Sequence, residues 1–361
     1  MRETIEEEWA HELVLGWSHW LSVGTRVGDQ LAPLIGARSG EVAVCDQTSI
    51  NLFKLASAGL AASGRQNIVT DHGNFPSDRY ILGAVASAAG GRLVSAPEDP
   101  SMDDLASVID SSVGLVSLSH VAYRSGTMSD GAAVTALAHE HGALMLWDLA
   151  HSAGAVPIDL EGWSADLAVG CTYKYLNAGP GAPGFLYVRS ELQNTLEQPI
   201  LGWFGHKDQF GFAREWEPAN DLRRFLIGTP PIISLMGVEV GVALTSEAGI
   251  EPIRAKSVAL TSMFLEAIAP LSDHGVEVVT PLDPTHRGSH ITVAHTNGFQ
   301  IASALRARGV IPDFRAPNLV RFGFTPLYTT FVETVRAAEV LTDIVVRGAY
   351  ESFPSTRAGV T

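Results

Sequence analysis

Leu146-Trp147-Asp148-Leu149-Ala150-His151-Ser152-Ala153-Gly154 and, further on, Cys171-Thr172-Tyr173-Lys174-Tyr175-Leu176-Asn177 are the stretches from which the fold reads. Each grows out of an apolar run, Ala143–Asp148 and Asp166–Thr172, of the length of a buried strand. Working outward, similar runs occur at Glu41–Asp46 (EVAVCD), Gln66–Thr70 (QNIVT), Arg92–Ala96 (RLVSA) and Gly114–His120 (GLVSLSH), with a further strand at Pro183–Val188. Between them, Ser49–Ala62 and Gly131–His141 space their apolar residues as helices do. Strand–helix alternation of this kind predicts an α/β fold, a mainly parallel sheet with helices on both faces. Ligands in such sheets bind at the carboxyl ends of the strands.

After Gly228-Thr229-Pro230-Pro231 the pattern changes. Long apolar helices over Ile232–Ala248 and Glu251–Leu271 precede strand-like runs at Gly275–Thr280, His290–His295 and Asn318–Phe324. Further helices are expected over Phe299–Arg308 and Thr330–Arg347. The expected domains are therefore an N-terminal helical segment over 1–35, a large α/β domain over 36–230 and a small α+β C-terminal lobe over 231–361. The tail after Ser352 is expected to fray.

The chain has 361 residues, 46% hydrophobic and 17% charged, enough for a large core and too apolar for wholesale disorder. A net charge of −15 argues against a nucleic-acid or anionic-membrane surface. Two cysteines, Cys45 and Cys171, are too few for a disulfide framework and have no metal-ligand spacing. The acidic start, with Glu3, Glu6, Glu7 and Glu8, is no signal peptide, and no apolar run approaches a membrane span. The expectation is a soluble cytoplasmic enzyme.

Lysine is scarce. Only Lys54, Lys174, Lys207 and Lys256 occur, against 20 arginines. A lysine amine can lose its proton and form a Schiff base, whereas arginine stays protonated. Lys174, between two tyrosines after a buried strand, has the half-buried setting such a lysine needs. Asp148 ends a buried strand and requires a partner. A metal held with His151 is one candidate, although no third ligand is evident. A protonated pyridine nitrogen is the better one, since a carboxylate there sustains pyridoxal phosphate as an electron sink. An aspartate and a lysine on successive strand ends, 26 residues apart, is the spacing of fold-type-I pyridoxal phosphate enzymes.

Other strand ends are less specific. Thr48 and Ser49 open a helix, as caps or as a phosphate cradle. Asn74-Phe75-Pro76-Ser77-Asp78 enters the next helix and offers the Phe75 ring as a stacking surface. The Gly179–Gly184 run matches G-x-G-x-x-G but contains two prolines and leads into a strand, so it reads as a turn.

The stretches TSINLFK (48–54), NFPSD (74–78), WDLAHSAG (147–154), YKYLNAGPG (173–181), GWFGH (202–206), RFLIGTPPI (224–232), RGSHITVAH (287–295) and GVIPDFRAPNLVRFGFTPLY (309–328) together resemble the kynureninase family of class V aminotransferase-like enzymes. The resemblance implies a fold-type-I architecture, pyridoxal phosphate and hydrolysis of L-kynurenine, or its 3-hydroxy form, to the matching anthranilate and L-alanine. It implies Lys174 as the Schiff-base lysine, Asp148 as the pyridinium partner and Tyr173 as a proton relay. Thr48, Ser49, Phe75, Ser77, Asp78, Ser119 and His151 fall on cofactor contacts. Trp203 and Thr229 match positions reaching the cofactor from a neighbouring subunit, which implies a homodimer with shared sites. Arg321 matches the arginine gripping the substrate α-carboxylate, and His19 is a further candidate substrate contact. Tryptophan catabolism and NAD biosynthesis through the kynurenine pathway would be its setting.

The family pattern includes a YLDGNSLG-like segment ahead of the match that begins near Glu8-Trp9, and this chain does not contain it; a shortened homologue or a late start would each account for that. The alternatives are a related class V aminotransferase or lyase with another amino-acid substrate, and a non-catalytic paralogue. A desulfurase would want a late catalytic cysteine, and none follows Cys171.

Overall fold

The computed structural model describes residues 2–355. Two compact units emerge: the chain up to His120 with Ser129–Glu247, and Val121–Met128 with the chain from Ala248 onward.

In the first unit, helical turns between Thr4 and Ile35 include α1 (Trp17–Trp20) and α2 (Val23–Leu31). Seven strands follow: β1 (Val42–Val44), β2 (Asn67–Asp71), β3 (Leu93–Ala96), β4 (Val113–Ser119), β5 (Leu144–Asp148), β6 (Leu167–Cys171) and β7 (Gly184–Val188). They form one sheet in the order β1-β7-β6-β5-β4-β2-β3. β2 to β6 pair in parallel, while β7 runs antiparallel to both β6 and β1. The interleaved helices are α3 (Thr48–Ser63), α4 (Pro76–Ala88), α5 (Met102–Val108), α6 (Gly131–Glu140), α7 (Ser190–Gln193) and α8 (Ile232–Ala248). Helices over the sheet explain why β5, β6 and β7 read as unbroken apolar runs rather than alternating ones. Leu52, Leu55 and Ala56 of α3 bury against Leu115, Leu146, Leu167 and Leu186 of the sheet. Each large aliphatic side chain so buried contributes about 1.5–3 kcal/mol.

The second unit holds a four-stranded antiparallel sheet in the order β10-β11-β9-β8. Its strands are β8 (Glu277–Val278), β9 (His290–Ala294), β10 (Asp313–Arg315) and β11 (Leu319–Gly323). With it go α9 (Ile250–Ile268), α10 (Gly298–Ala307) and α11 (Phe331–Val346). α11 starts at a capping box between Thr330 and Glu333. Phe264, Ile291, Ile301, Val320 and Leu341 share its core.

The first unit extends past the change in pattern at residue 230, because α8 is anchored to it. A Cβ on Gly241 would lie 2.1 Å from the Leu176 carbonyl, so α8 rests directly on the chain that follows Lys174. Arg26 of α2 also pairs with Glu239. Of the expected frayed tail, Phe353 is tied through its carbonyl to Gln300 Nε2 at 2.7 Å, and residues 356–361 lie outside the described residues. Among the described residues, no single helix is long and apolar enough to cross a membrane.

Candidate active site

The carboxyl ends of β4 and β5 lie side by side, with Ser119 directly opposite Asp148 in the ladder. Asp148 is buried; its Oδ1 accepts from the Ala150 N–H at 2.8 Å and its Oδ2 from Ser119 Oγ at 3.3 Å. Ser119 Oγ also lies 3.0 Å from Asn74 Oδ1, and Asn74 Nδ2 donates to Thr70 Oγ1 at 2.9 Å. Asn74 Oδ1 further accepts from the Phe75 N–H at 2.7 Å, which fixes the entry to α4.

That helix begins with Pro76 in its first turn, the position where a missing N–H costs nothing. Its third residue, Asp78, is buried, and Asp78 Oδ2 has no hydrogen-bond partner. Burial, and then the charge of Asp148, push the Asp78 carboxyl well above its ordinary range. Burial also raises Asp148, opposed by the Lys174 charge and the Ala150 N–H.

Lys174 stands on the turn after β6, where Asn177 N–H closes on the Lys174 carbonyl at 3.0 Å and Asn177 adopts a φ of +56°. Asparagine tolerates that left-handed backbone better than most side chains. Lys174 is half-buried, with its Nζ 5.9 Å from the centre of the Tyr173 ring. Burial, then the neighbouring Cys171, push the Tyr173 phenol up to about 12, so it remains a proton donor at neutral pH.

Thr48 and Ser49 are the first two residues of α3, and Gln47 precedes them with no side-chain cap. The cap reading therefore fails for both hydroxyls: Thr48 Oγ1 donates to the Gly170 carbonyl at 3.2 Å instead. The helix start opens into a cleft of about 490 Å³ lined by Asp46, Thr48, Ser49, Tyr173 and the Gly181–Gly184 run. That run is a turn, with Gly179 and Gly181 at positive φ, and it also forms a cleft wall, which its mismatch to a dinucleotide motif concealed. A Cβ on Gly184 would sit 2.9 Å from the Thr48 nitrogen, so only glycine lets the strand approach the helix start.

Of the remaining candidates, Phe75 is an exposed ring at the start of α4, Ser77 is half-buried one residue before Asp78, and His151 is half-buried in the turn after Ala150. Trp203 is 41% exposed and stacks on Phe212 with Phe204 and Phe210 edge-on. Thr229 lies on an exposed loop. Arg321 belongs to the second unit, on β11, where its guanidinium pairs with Asp313 of β10 and the Tyr123 carbonyl. His19 is not brought to this cluster: its ring bonds Glu8 at 3.1 Å and packs against Trp20. The roles of Asn74 and Asp46 escape the sequence, since neither a bridging amide nor a lone carboxylate at a strand end leaves a periodic signal. Among the described residues, no group of three or more His, Cys, Asp or Glu side chains is placed to hold a metal ion.

A family profile described as the kynureninase C-terminal domain matches residues 253–341. A kynureninase from Pseudomonas fluorescens is 46% identical over 355 residues, covering 95% of this chain and 84% of the relative. One from Burkholderia pseudomallei (strain 1106a) is 44% identical over 370 aligned positions, covering 100% and 88%. The chain belongs to the kynureninase family. Among solved structures, the apo cysteine desulfurase of Thermococcus onnurineus NA1 superposes with a TM-score of 0.81 at 21% identity, over 94% of this chain and 86% of that one. A cystine C–S lyase complexed with cysteine persulfide gives 0.78 at 17%, over 91% and 88%. At such identities the likeness is one of fold, and it is the α/β fold of pyridoxal phosphate enzymes. The kynureninase-family site fits that cofactor. It offers a buried carboxylate, Asp148, placed to meet a cation, with the Asp78 carboxyl and a lysine beside it, an exposed ring and an uncapped helix start.

Proposed function

We propose that this chain hydrolyses L-kynurenine, or its 3-hydroxy form, to the corresponding anthranilate and L-alanine. As a kynureninase-family member it is a pyridoxal phosphate-dependent hydrolase of a carbon–carbon bond. The observation that carries the residue assignment is the pairing of strand ends: Asp148 buried at the end of β5, and Lys174 after β6 with its charge acting on Asp148.

Pyridoxal phosphate bound here supplies an electron sink for the carbanion left when the substrate Cα proton departs. In this reading Lys174 Nζ anchors the cofactor and is the base that moves the Cα proton. Asp148 keeps the pyridine nitrogen protonated, and Phe75 covers the ring face. Thr48 and Ser49, with the first N–H groups of α3, hold the phosphate. Ser77, Asp78, Ser119 and His151 complete the cofactor's surroundings. Tyr173, protonated at neutral pH, would serve as a proton relay beside Lys174. Arg321 grips the substrate carboxylate in a two-pronged bond that suits a guanidinium.

Trp203 and Thr229 reach across to a second copy in the same reading, which makes the protein a homodimer with shared sites. The exposed rings of Trp203, Phe210 and Phe212 support such a cover. The net charge of −15 favours a small-molecule substrate over nucleic acid or an anionic membrane. Membership of the kynureninase family favours a cytoplasmic place in tryptophan catabolism or NAD biosynthesis by the kynurenine pathway. The test is anthranilate fluorescence from purified protein with pyridoxal phosphate and L-kynurenine. A rising signal is expected. No signal with either kynurenine, while the cofactor's visible band forms, would mean another substrate.

A further inference from the structure

In a chain that places arginine at 20 of its 24 basic positions, Lys54 is enclosed completely, with no exposed surface. It lies in the second turn of α3 and points back toward the end of β1. Its Nζ donates to Asp46 Oδ2 at 2.6 Å and to the Phe225 carbonyl at 2.8 Å, and it approaches Cys45 Sγ at 3.8 Å. A compact ammonium with three donors matches three acceptors set around one point, which a planar guanidinium would not.

The hydrogen bond to Asp46 leads directly to the cleft. Asp46 is a cleft wall, its carboxyl a quarter exposed, at a left-handed φ of +50°. Its carbonyl accepts from the Gly184 N–H at 2.7 Å, joining the two sides of the cleft. Phe225 precedes the loop that carries Thr229. A bare carboxylate at Asp46 would stand two residues before the helix start that takes an anion, and would repel a dianion there.

We infer that Lys54 is a positioning residue for cofactor binding: its enclosed ammonium neutralises Asp46, so that the start of α3 accepts a phosphate dianion. The inference rests on the phosphate placement proposed above. It assigns Lys54 no contact with the cofactor. The effect is transmitted through the charge of Asp46.

Cofactor-free protein titrated with pyridoxal phosphate and with pyridoxal, which lacks the phosphate, tests this by absorbance and tryptophan fluorescence without any turnover. Wild type should bind pyridoxal phosphate far more tightly than pyridoxal. Lys54→Met should weaken pyridoxal phosphate about tenfold or more and leave pyridoxal within about threefold, because the lost charge is felt only by the phosphate. The double variant Lys54→Met/Asp46→Asn removes both charges and should recover wild-type affinity to within about threefold. Asp46→Asn alone, in which asparagine keeps the left-handed backbone, should bind pyridoxal phosphate as tightly as wild type or more so.

Unchanged phosphate preference in a folded Lys54→Met overturns the inference, as does equal weakening for both ligands or a double variant no better than the single. If Lys54→Met does not fold, Asp46→Asn decides: a tenfold loss for pyridoxal phosphate alone would make Asp46 a binding group and refute the charge role. A wild type indifferent to the phosphate would refute the placement itself, and the inference with it.

Discussion

Asp78 and Asp148 come from different segments, the first turn of α4 and the end of β5, and their carboxyl groups are buried within reach of each other's charge. Asp148 has the Ala150 N–H, Ser119 Oγ and the Lys174 charge to hold it ionised; Asp78 Oδ2 has no hydrogen bond. The proton therefore rests on Asp78 and the negative charge on Asp148. Asp148→Asn should lower turnover by about 10²–10³-fold, the size of losing one fixed charge aimed at the reacting group. Asp78→Asn, replacing a group already neutral, should cost much less. Steady-state rates of anthranilate release for the two variants compare them directly, and equal losses would contradict the assignment.

Lys174→Ala should fold normally, since the half-buried side chain packs little core, and should show neither turnover nor the visible band of bound cofactor. Near-wild-type activity would remove Lys174 from the chemistry.

Arg321 is held by Asp313 and the Tyr123 carbonyl, with the Tyr123 ring 5.8 Å from its guanidinium carbon. Arg321→Ala should lower kcat/KM by the equivalent of roughly 2–5 kcal/mol, the cost of truncating one partner of a buried charge pair, mostly through KM. Pyridoxal phosphate binding should be unaffected. A variant that lost cofactor affinity and kept its KM would refute the carboxylate role.

Asp71, at the end of β2, has its carboxyl pushed up to about 7 by burial, against the Gly73 N–H and with Asp99 and Glu98 adding to the rise. A carboxyl raised on folding binds a proton more tightly in the native state. Its contribution is fully present below the unfolded value of about 4 and is lost as pH rises through about 7. Asp71→Asn should therefore stabilise the protein above pH 7, by about 1–3 kcal/mol, and hardly at all near pH 4. Denaturant unfolding at the two pH values measures it; an equal effect at both would show that Asp71 does not titrate between them.

The large sheet was legible because its central strands are buried on both faces, so each apolar run coincides with a strand to within a residue or two. β10 was not, since Asp313-Phe314-Arg315 is three residues long and holds a single apolar side chain between two charges. Nor was the reversed direction of β7, which periodicity does not encode. Asp148 and Lys174 stood out because charged groups at buried strand ends need partners. Asp46 and Lys54 did not: one precedes the helix and the other lies in its second turn, at a spacing of eight that no helical pairing rule covers. Val121–Met128 belongs to the second unit although it directly follows a strand of the first, a placement set by its bridge from Thr127 to Arg287.

With Lys54 walled in, amine-directed reagents meet few lysine side chains on this protein. Lys207 is half-exposed beside Glu217 and Lys256 is tied to the Pro326 carbonyl, which leaves Lys174 as the one in the proposed cofactor site. Mild acylation followed by peptide mass mapping thus becomes an occupancy gauge: Lys174 should be labelled in the cofactor-free protein and protected once the cofactor is added, with Lys207 as the internal standard.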